Sequence, residues 1–252
     1  TSGTGSETTA IAVISDTEKG VKLPFVSYFL MPNAAVLDSR MTLTLPPHIT
    51  AMTGMDALTH AVEAFTCLAH NPISDAYANG AIKKIADNLL NVLDNPTDAD
   101  GRLELAQAST MAGVAFSNAM VGLVHALGHS LGAVCHLPHG LCMNLFLPYA
   151  LEYNKDKNGD RIAELLLPLA GADVYAATPV AERADRAIAE IRRMRDEIFN
   201  RCKLPRTLQE TGKVTREQLA QIADLTLDDG AIIINPKEAD RDEIMAILEK
   251  AW

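Results

Sequence analysis

"GLVHALGHSLGAVCHLPHG", residues 122–140, is the stretch on which the reading of this chain turns. It holds four of the seven histidines in a segment otherwise dominated by small and apolar residues. A buried imidazole needs partners for both ring nitrogens, so four in one apolar segment are costly unless something satisfies them. A metal ion is one such partner. The rest of the sequence then has to supply further ligands.

Composition sets the frame for that search. The chain has 252 residues, 48% of them hydrophobic and 21% charged, the proportions of a globular protein with one large domain or two small ones. A net charge of -10 argues against a nucleic-acid partner, because phosphate binding needs clustered Lys and Arg. The basic residues that do cluster, Arg192, Arg193 and Arg195, are interleaved with acids and are expected on a solvated helix face. No apolar run is long enough to span a membrane, and no secretory signal is visible. The chain begins at Thr1 and not at Met, so an upstream segment is expected to be missing. Cys67, Cys135, Cys142 and Cys202 form no CxxC pair, which suits reduced thiols in a cytoplasmic protein.

Working outward from the histidines, the pattern is mainly helical. "TTAIAVISDTEKGVKLPFVSYFLMP" has two apolar runs, "AIAVIS" and "FVSYFLM", about the polar turn "DTEKG", and predicts a hairpin. "AAVLDS", ending near Asp38, predicts one more short strand. After "LPPHIT" the apolar spacing becomes helical, beginning with "AMTGMDALTHAVEAFTCLA". The next helix, "ISDAYANGAIKKIADNLLNVLDN", has Ser74 or Asp75 as its expected N-cap. "GRLELAQASTMAGVAFSNAMVGLVHALGHSLGA" predicts one or two buried helices, and another starts after the Pro-His-Gly turn. Further amphipathic helices follow at "RIAELLLPLAG", "AERADRAIAEIRRMRDEIFNRC", "TREQLAQIADLTLDD" and "EADRDEIMAILEKAW", the last with Asp240 as its cap. The expected division is a β-rich segment over residues 1–38 and an all-helical domain over 39–252.

The missing ligands appear in "GMDALTHAVEAF". Asp56 and His60 are four residues apart, so on a helix they lie about 40° apart on one face and can address one site. His125 and His129 repeat that spacing, and His139 lies beyond a turn. One carboxylate with several neutral imidazoles suits a divalent cation such as Fe(II) or Zn(II). Spacing alone leaves a second reading equally open, in which Asp56 and His60 share a local hydrogen bond and the other histidines pack in the core. His136 has no spacing that calls for ligation, and His48 and His70 are expected in loops.

The ordered set "TSGTGSETT", "GMDALTHAVEAF", "AFSN…GLVHALGHSLGA" and "LPHGLCMNLFLP" resembles the iron-containing (group III) alcohol dehydrogenases along the whole chain. The resemblance implies a mainly α fold: a helical metal-binding domain preceded by a short β-rich remnant of an α/β dinucleotide-binding domain, in a dehydroquinate synthase-like architecture. It implies that Asp56, His60, His125 and His139 hold the metal, and that His129 lies near the nicotinamide and the substrate as the catalytic histidine. His136 is left to packing or to support of the ligands. Thr1, Thr4, Thr9 and Lys22 fall at cofactor-contacting positions. Read from its residues alone, "TSGTGSETT" is equally a Gly/Ser/Thr linker, and Lys22 a solvated hairpin lysine. Two features depart from the family: Ser130 stands where "HPLG" is common, and the Gly-rich phosphate loop of an upstream half has no counterpart.

The implied activity is reversible hydride transfer between a primary or short-chain alcohol or aldehyde and NAD or NADP. Fe(II), with Zn(II) as the alternative, would polarise the alcohol oxygen as a Lewis acid. Glu63, one turn beyond His60, is a candidate to support the ligands or to act as a cap. The expected protein is a cytoplasmic homo-oligomer with no nucleic-acid or membrane partner, and the chain by itself is expected to be inactive. The alternatives are a metal-dependent hydrolase, a dehydroquinate synthase-like lyase and a non-catalytic helical domain.

Overall fold

A computed structural model of the chain describes residues 3–16 and 21–252. Its centre is helix α1, Pro47–Thr66. Most of this helix is buried, from Thr50 and Ala51 through to Phe65 and Thr66, because "AMTGMDALTHAVEAF" is small or apolar except along the line of Asp56, His60 and Glu63. A helix that is mostly apolar all round has to be wrapped. The wrapping is done by α2 (Pro72–Asp94), α3 (Ala99–Ala119), α5 (His139–Glu164) and α8 (Arg183–Cys202). The long α2 turns a single stripe inward, with Ala78, Ala81, Ile82, Ile85, Leu89 and Val92 all buried. Helix α8 does the same with Ala187, Ile188, Ile191, Met194 and Ile198, and lies against α5.

The short α4 (Leu123–Cys135) lies against α5 and α9 (Leu219–Asp228). Two small helices, α6 (Leu166–Ala170) and α7 (Ala172–Ala177), lead to α8, and α10 (Arg241–Lys250) closes the chain against α9 and α5. Asp240 caps α10 as expected, in a reciprocal capping box with Glu243. The only described sheet is an antiparallel pair, β1 (Ile11–Asp16) and β2 (Val21–Val26), in the register Ile11 to Val26 and Asp16 to Val21. The fold is therefore mainly α with a two-stranded ribbon at its N-terminal end. Among the described residues no single helix is long and apolar enough to cross a membrane.

Several sequence expectations need correction. "AAVLDS" forms no strand; residues 34–38 are irregular and end in a 3-10 turn, Ser39–Met41, capped by Asp38. Neither described strand pairs with it. The second hairpin strand starts at Val21, not at Phe25, and gives way at Tyr28–Leu30 to a 3-10 turn. A proline within it is tolerated because a two-stranded ribbon always has an outer edge. Helix α1 starts at Pro47, since proline suits the first turn, so His48 is helical; His70 is in a loop as expected. The cap of α2 is Asn71, and Ser74 is its reciprocal partner three residues on. "RIAE" continues α5 past a kink at Asn158 and does not open a new helix. Arg195 is buried, not solvated; its guanidinium bonds the Arg206 carbonyl, and burial pushes it down to about 10.

Candidate metal centre

Three helices bring the polar side chains together. Asp56, His60 and Glu63 follow one another on one face of α1, and all three are buried. His125 and His129 lie one turn apart on α4, and His139 is the first residue of α5. The Pro-His-Gly sequence earns its place here by backbone approach. A side chain at Gly140 would meet the Met52 carbonyl oxygen at 2.4 Å, so only glycine lets the first turn of α5 sit on α1 one turn before Asp56.

The result is one cluster of Asp56, His60, His125 and His139, in which one ligand atom from each lies within 4.8 Å of all the others. His139 Nε2 is 3.3 Å from Asp56 Oδ1. The His60 and His125 rings stack at 4.7 Å, and Phe116 covers the other side of His60 at 4.3 Å. Asp56 Oδ1, His60 Nδ1 and His125 Nε2 are buried without a hydrogen-bond partner. Leaving a buried polar atom unsatisfied costs about 1–3 kcal/mol, so three at one point is a donor set shaped for a cation. Exposure rises from 3% at the His125 side chain to 25% at His129 and 33% at His139, which places the mouth of the site on the α4–α5 side.

The electrostatics suit the same reading. Burial raises the Asp56 carboxyl, but His60, His139 and His125 outweigh it and hold it below the ordinary carboxylate range. Burial pushes His60 down to about 3 and His125 well below its ordinary value. At neutral pH the cluster thus offers one anionic carboxylate and, at these two histidines, neutral imidazole lone pairs. That is the protonation state a divalent cation requires.

His129 stands beside this cluster and outside its four members. Its ring stacks on His139 at 5.4 Å and meets His125 edge-on at 5.6 Å. Its Nδ1 is 2.9 Å from Asp229 Oδ2. Asp229 was not singled out in the sequence, since a carboxylate 100 residues away in "TLDDG" carries no local signal beyond a cap. Burial raises the Asp229 carboxyl, but the bond and charge of His129, the Ala231 N–H and the charge of His125 together lower it overall.

Glu63 does both things expected of it, facing His125 and capping the start of α4. Its Oε2 is 2.5 Å from His125 Nδ1, and its Oε1 accepts the Val124 N–H at 2.6 Å. Burial pushes this carboxyl up to about 7. Helix α4 has Gly122 as its N-cap and no side chain of its own there; the Leu123 N–H is taken instead by Asn235 Oδ1 at 3.3 Å. Asn235 and Asn154 in turn bond each other through both amides. His136 neither packs in the core nor bonds a member of the cluster. It is exposed and ends α4 in the left-handed conformation, φ 53°.

The N-terminal loop lies on the same helices. A side chain at Gly3 would strike the Thr53 carbonyl oxygen at 2.7 Å, one turn from Asp56, and Gly5 packs on Gly113 of α3. Thr4 is exposed and Thr9 is buried. Thr1 and the Lys22 side chain lie outside the described residues, although the Lys22 backbone pairs with Ser15. All four cysteines are free.

A helical bundle wrapped round a buried carboxylate–imidazole cluster defines a domain with a candidate metal centre as the class of this fold. The chain belongs to the iron-containing alcohol dehydrogenase family. Residues 50–252 match the C-terminal model of the Fe-containing alcohol dehydrogenase family, and residues 1–39 match that of iron-containing alcohol dehydrogenase. The NADPH-dependent butanol dehydrogenase of Clostridium saccharobutylicum is 34% identical, over 99% of this chain and 62% of its own length. The NAD-dependent methanol dehydrogenase of Bacillus methanolicus is 35% identical, over 100% of this chain and 64% of its own. A crystal structure of 1,3-propanediol oxidoreductase superposes with a TM-score of 0.94 at 35% identity, over 100% of this chain and 64% of that one. The chain thus spans just under two thirds of the length of such relatives.

Proposed function

We propose that this chain is the metal-binding part of an alcohol dehydrogenase that transfers hydride reversibly between a primary or short-chain alcohol and NAD or NADP. The observation that carries the reading is the convergence of Asp56, His60, His125 and His139 with three of their polar atoms buried and unpartnered. We take these four as the ligands of Fe(II), the metal of the family's name, with Zn(II) compatible with the same donors. When bound, that ion supplies a Lewis acid for the alcohol oxygen. The chain's own residues do the rest. Asp56 brings the negative charge, burial keeps His60 and His125 unprotonated, and the apolar walls of α1 and α4 exclude water from their side of the site. His129, at the mouth and outside the ligand set, is the catalytic histidine, placed to accept the alcohol proton.

On the cofactor, relatives named for NAD and for NADPH support a nicotinamide without choosing between the two. Thr1, Thr4, Thr9 and Lys22 are the contacts we assign to it, and the packing of Gly3 on Thr53 puts that loop close to Asp56. We divide the chain into a cofactor-side segment, 1–38, and a helical catalytic domain, 39–252. We also infer a cytoplasmic homo-oligomer without nucleic-acid or membrane partners, on the free cysteines and the net charge of -10.

The test is metal stoichiometry. Chain stripped with a chelator and reloaded anaerobically with Fe(II) or Zn(II) should take up one ion. His60→Ala and His125→Ala should take up none, while His129→Ala should still take up one. Equal loss in all three would end the division between ligands and catalyst.

A further inference from the structure

The two histidines of α4 are held by the same device. At His125 the carboxylate of Glu63 places one oxygen on a backbone N–H and the other on Nδ1. At His129 the carboxylate of Asp229 repeats it: Oδ1 accepts the Ala231 N–H at 2.8 Å and Oδ2 faces Nδ1 at 2.9 Å. An ionised carboxylate can only accept, so the ring nitrogen facing it must carry the proton. We propose that Asp229 is a positioning residue for His129, fixing the ring proton on Nδ1 and leaving Nε2 as the acceptor at the mouth of the site.

Three observations support this. Asp229 caps the 3-10 turn Gly230–Ile234 through the same Oδ1 that holds Ala231, so the carboxylate cannot rotate away from His129 without leaving a backbone donor unmet. His129 Nε2 has no hydrogen-bond partner among the described residues, which leaves it free to meet a substrate hydroxyl. Its ring is also fixed in plane by stacking on His139, with an interplanar angle of 19°. The residues needed to hold the proton therefore come from the C-terminal third of the chain, while the ring comes from α4.

The geometry makes Asp229→Asn an unusual probe. Asparagine has one acceptor oxygen where aspartate has two. The Ala231 N–H claims that oxygen, so the amide NH2 turns to His129 and donates to Nδ1. The ring proton must then move to Nε2, and the acceptor at the mouth becomes a donor. The shape is unchanged while the tautomer inverts. A carboxylate that serves only to hold the turn would cause no such inversion, because asparagine caps as well as aspartate.

This inference rests on reading His129 as the proton-accepting group, and the experiment separates the two. Nitrogen-15 spectra of histidine-labelled, Zn-loaded chain are recorded at about pH 8.5, above the ordinary imidazole range. The His129 signals are assigned by their loss in His129→Gln. The wild type should show a protonated, pyrrole-type Nδ1 and an unprotonated, pyridine-type Nε2. Asp229→Asn should exchange the two, and Asp229→Ala should give averaged signals of mixed tautomers. Zn affinity should stay within about twofold in both variants, since Asp229 touches none of the four ligands. In the proposed dehydrogenase Asp229→Asn should lower kcat by about 10²–10⁴-fold with little change in KM, the worth of a general base. A wild-type ring protonated at Nε2 would overturn the assignment even if neither Asp229 variant folds. So would an Asp229→Asn ring that keeps its Nδ1 proton. A wild-type tautomer as assigned, with kcat unmoved in Asp229→Asn, would uphold the clamp and remove His129 from the proton path.

Discussion

The helical core and the segment at residues 25–41 use the same apolar residue types to opposite ends. In the core, Met55, Leu58, Ile82, Leu123, Leu127 and Phe146 are completely buried. In the segment, Val26, Tyr28, Val36 and Met41 are between 73% and 89% exposed, and Phe29 is fully exposed at 101%. The core is closed by helices of this same chain, and its four-residue polar cluster is held inside that closure. No described residue covers these side chains. The comparison teaches that the four clustered side chains come from helices that close on one another, whereas residues 25–41 are not held by burial among the described residues. Apolar patches of this kind mark surfaces that pack against something else.

The largest effect that could break this comparison lies in the metal. Loading should raise Tm by about 10 °C at a thousandfold excess over Kd, the stabilisation expected for a ligand that binds only the folded state. His125→Ala should abolish that shift in a thermal melt. A shift retained in this variant would mean that the core does not hold the ion. Next is packing: Leu127→Ala removes a fully buried side chain beside the site and should cost about 2–5 kcal/mol in urea unfolding. Glu63→Gln comes third. By the same donor argument the amide turns to His125 Nδ1, so Zn affinity measured by competition should fall about 10–100-fold with the fold intact.

Acid should sharpen the picture further. The folded metal-free chain keeps His60 and His125 neutral far below the pH at which they protonate in the unfolded chain. The unfolded state therefore binds more protons as pH falls, and stability present above about 6.5 is lost between there and about 3. Glu63, raised to about 7, acts in the opposite sense, stabilising below its unfolded value and losing that contribution as pH rises through 7. Two histidines against one glutamate leave a net loss in acid, readable as a falling urea midpoint, and Glu63→Gln should steepen it. The smallest effect is expected from Phe29→Ser, which should change unfolding free energy by less than about 0.5 kcal/mol while lowering dye binding to exposed apolar surface. A large loss of core stability from that change would erase the contrast between the two regions.

Much of this was legible in the sequence because it is periodic. The four-residue spacings of Asp56 with His60 and of His125 with His129 are local, and local spacing fixes which side chains share a helix face. The Pro-His-Gly turn marked where His139 would stand. What stayed hidden was tertiary. Asp229 and Asn235 reach α4 across 100 residues or more, and no pattern near either one announces it. Glu63 was visible as a neighbour of His60, but its choice between solvent and His125 depended on where α4 would lie. "AAVLDS" misled for the converse reason: its composition suits a strand, and a strand exists only when another pairs with it.

The open start of α4 has a consequence for synthesis. Gly122 offers no cap, so the first amides of the helix that carries His125 and His129 wait for Glu63 and for Asn235. Glu63 leaves the ribosome before α4, but Asn235 follows Leu123 by 112 residues. Until it emerges, the Leu123 amide has no partner, and the asparagine pair that ties Asn154 to the C-terminal segment is absent. The helix at the heart of the site is thus completed only once Asn235 has emerged, and a nascent chain cut short before residue 235 would carry all four clustered side chains on a scaffold still unfastened at one end.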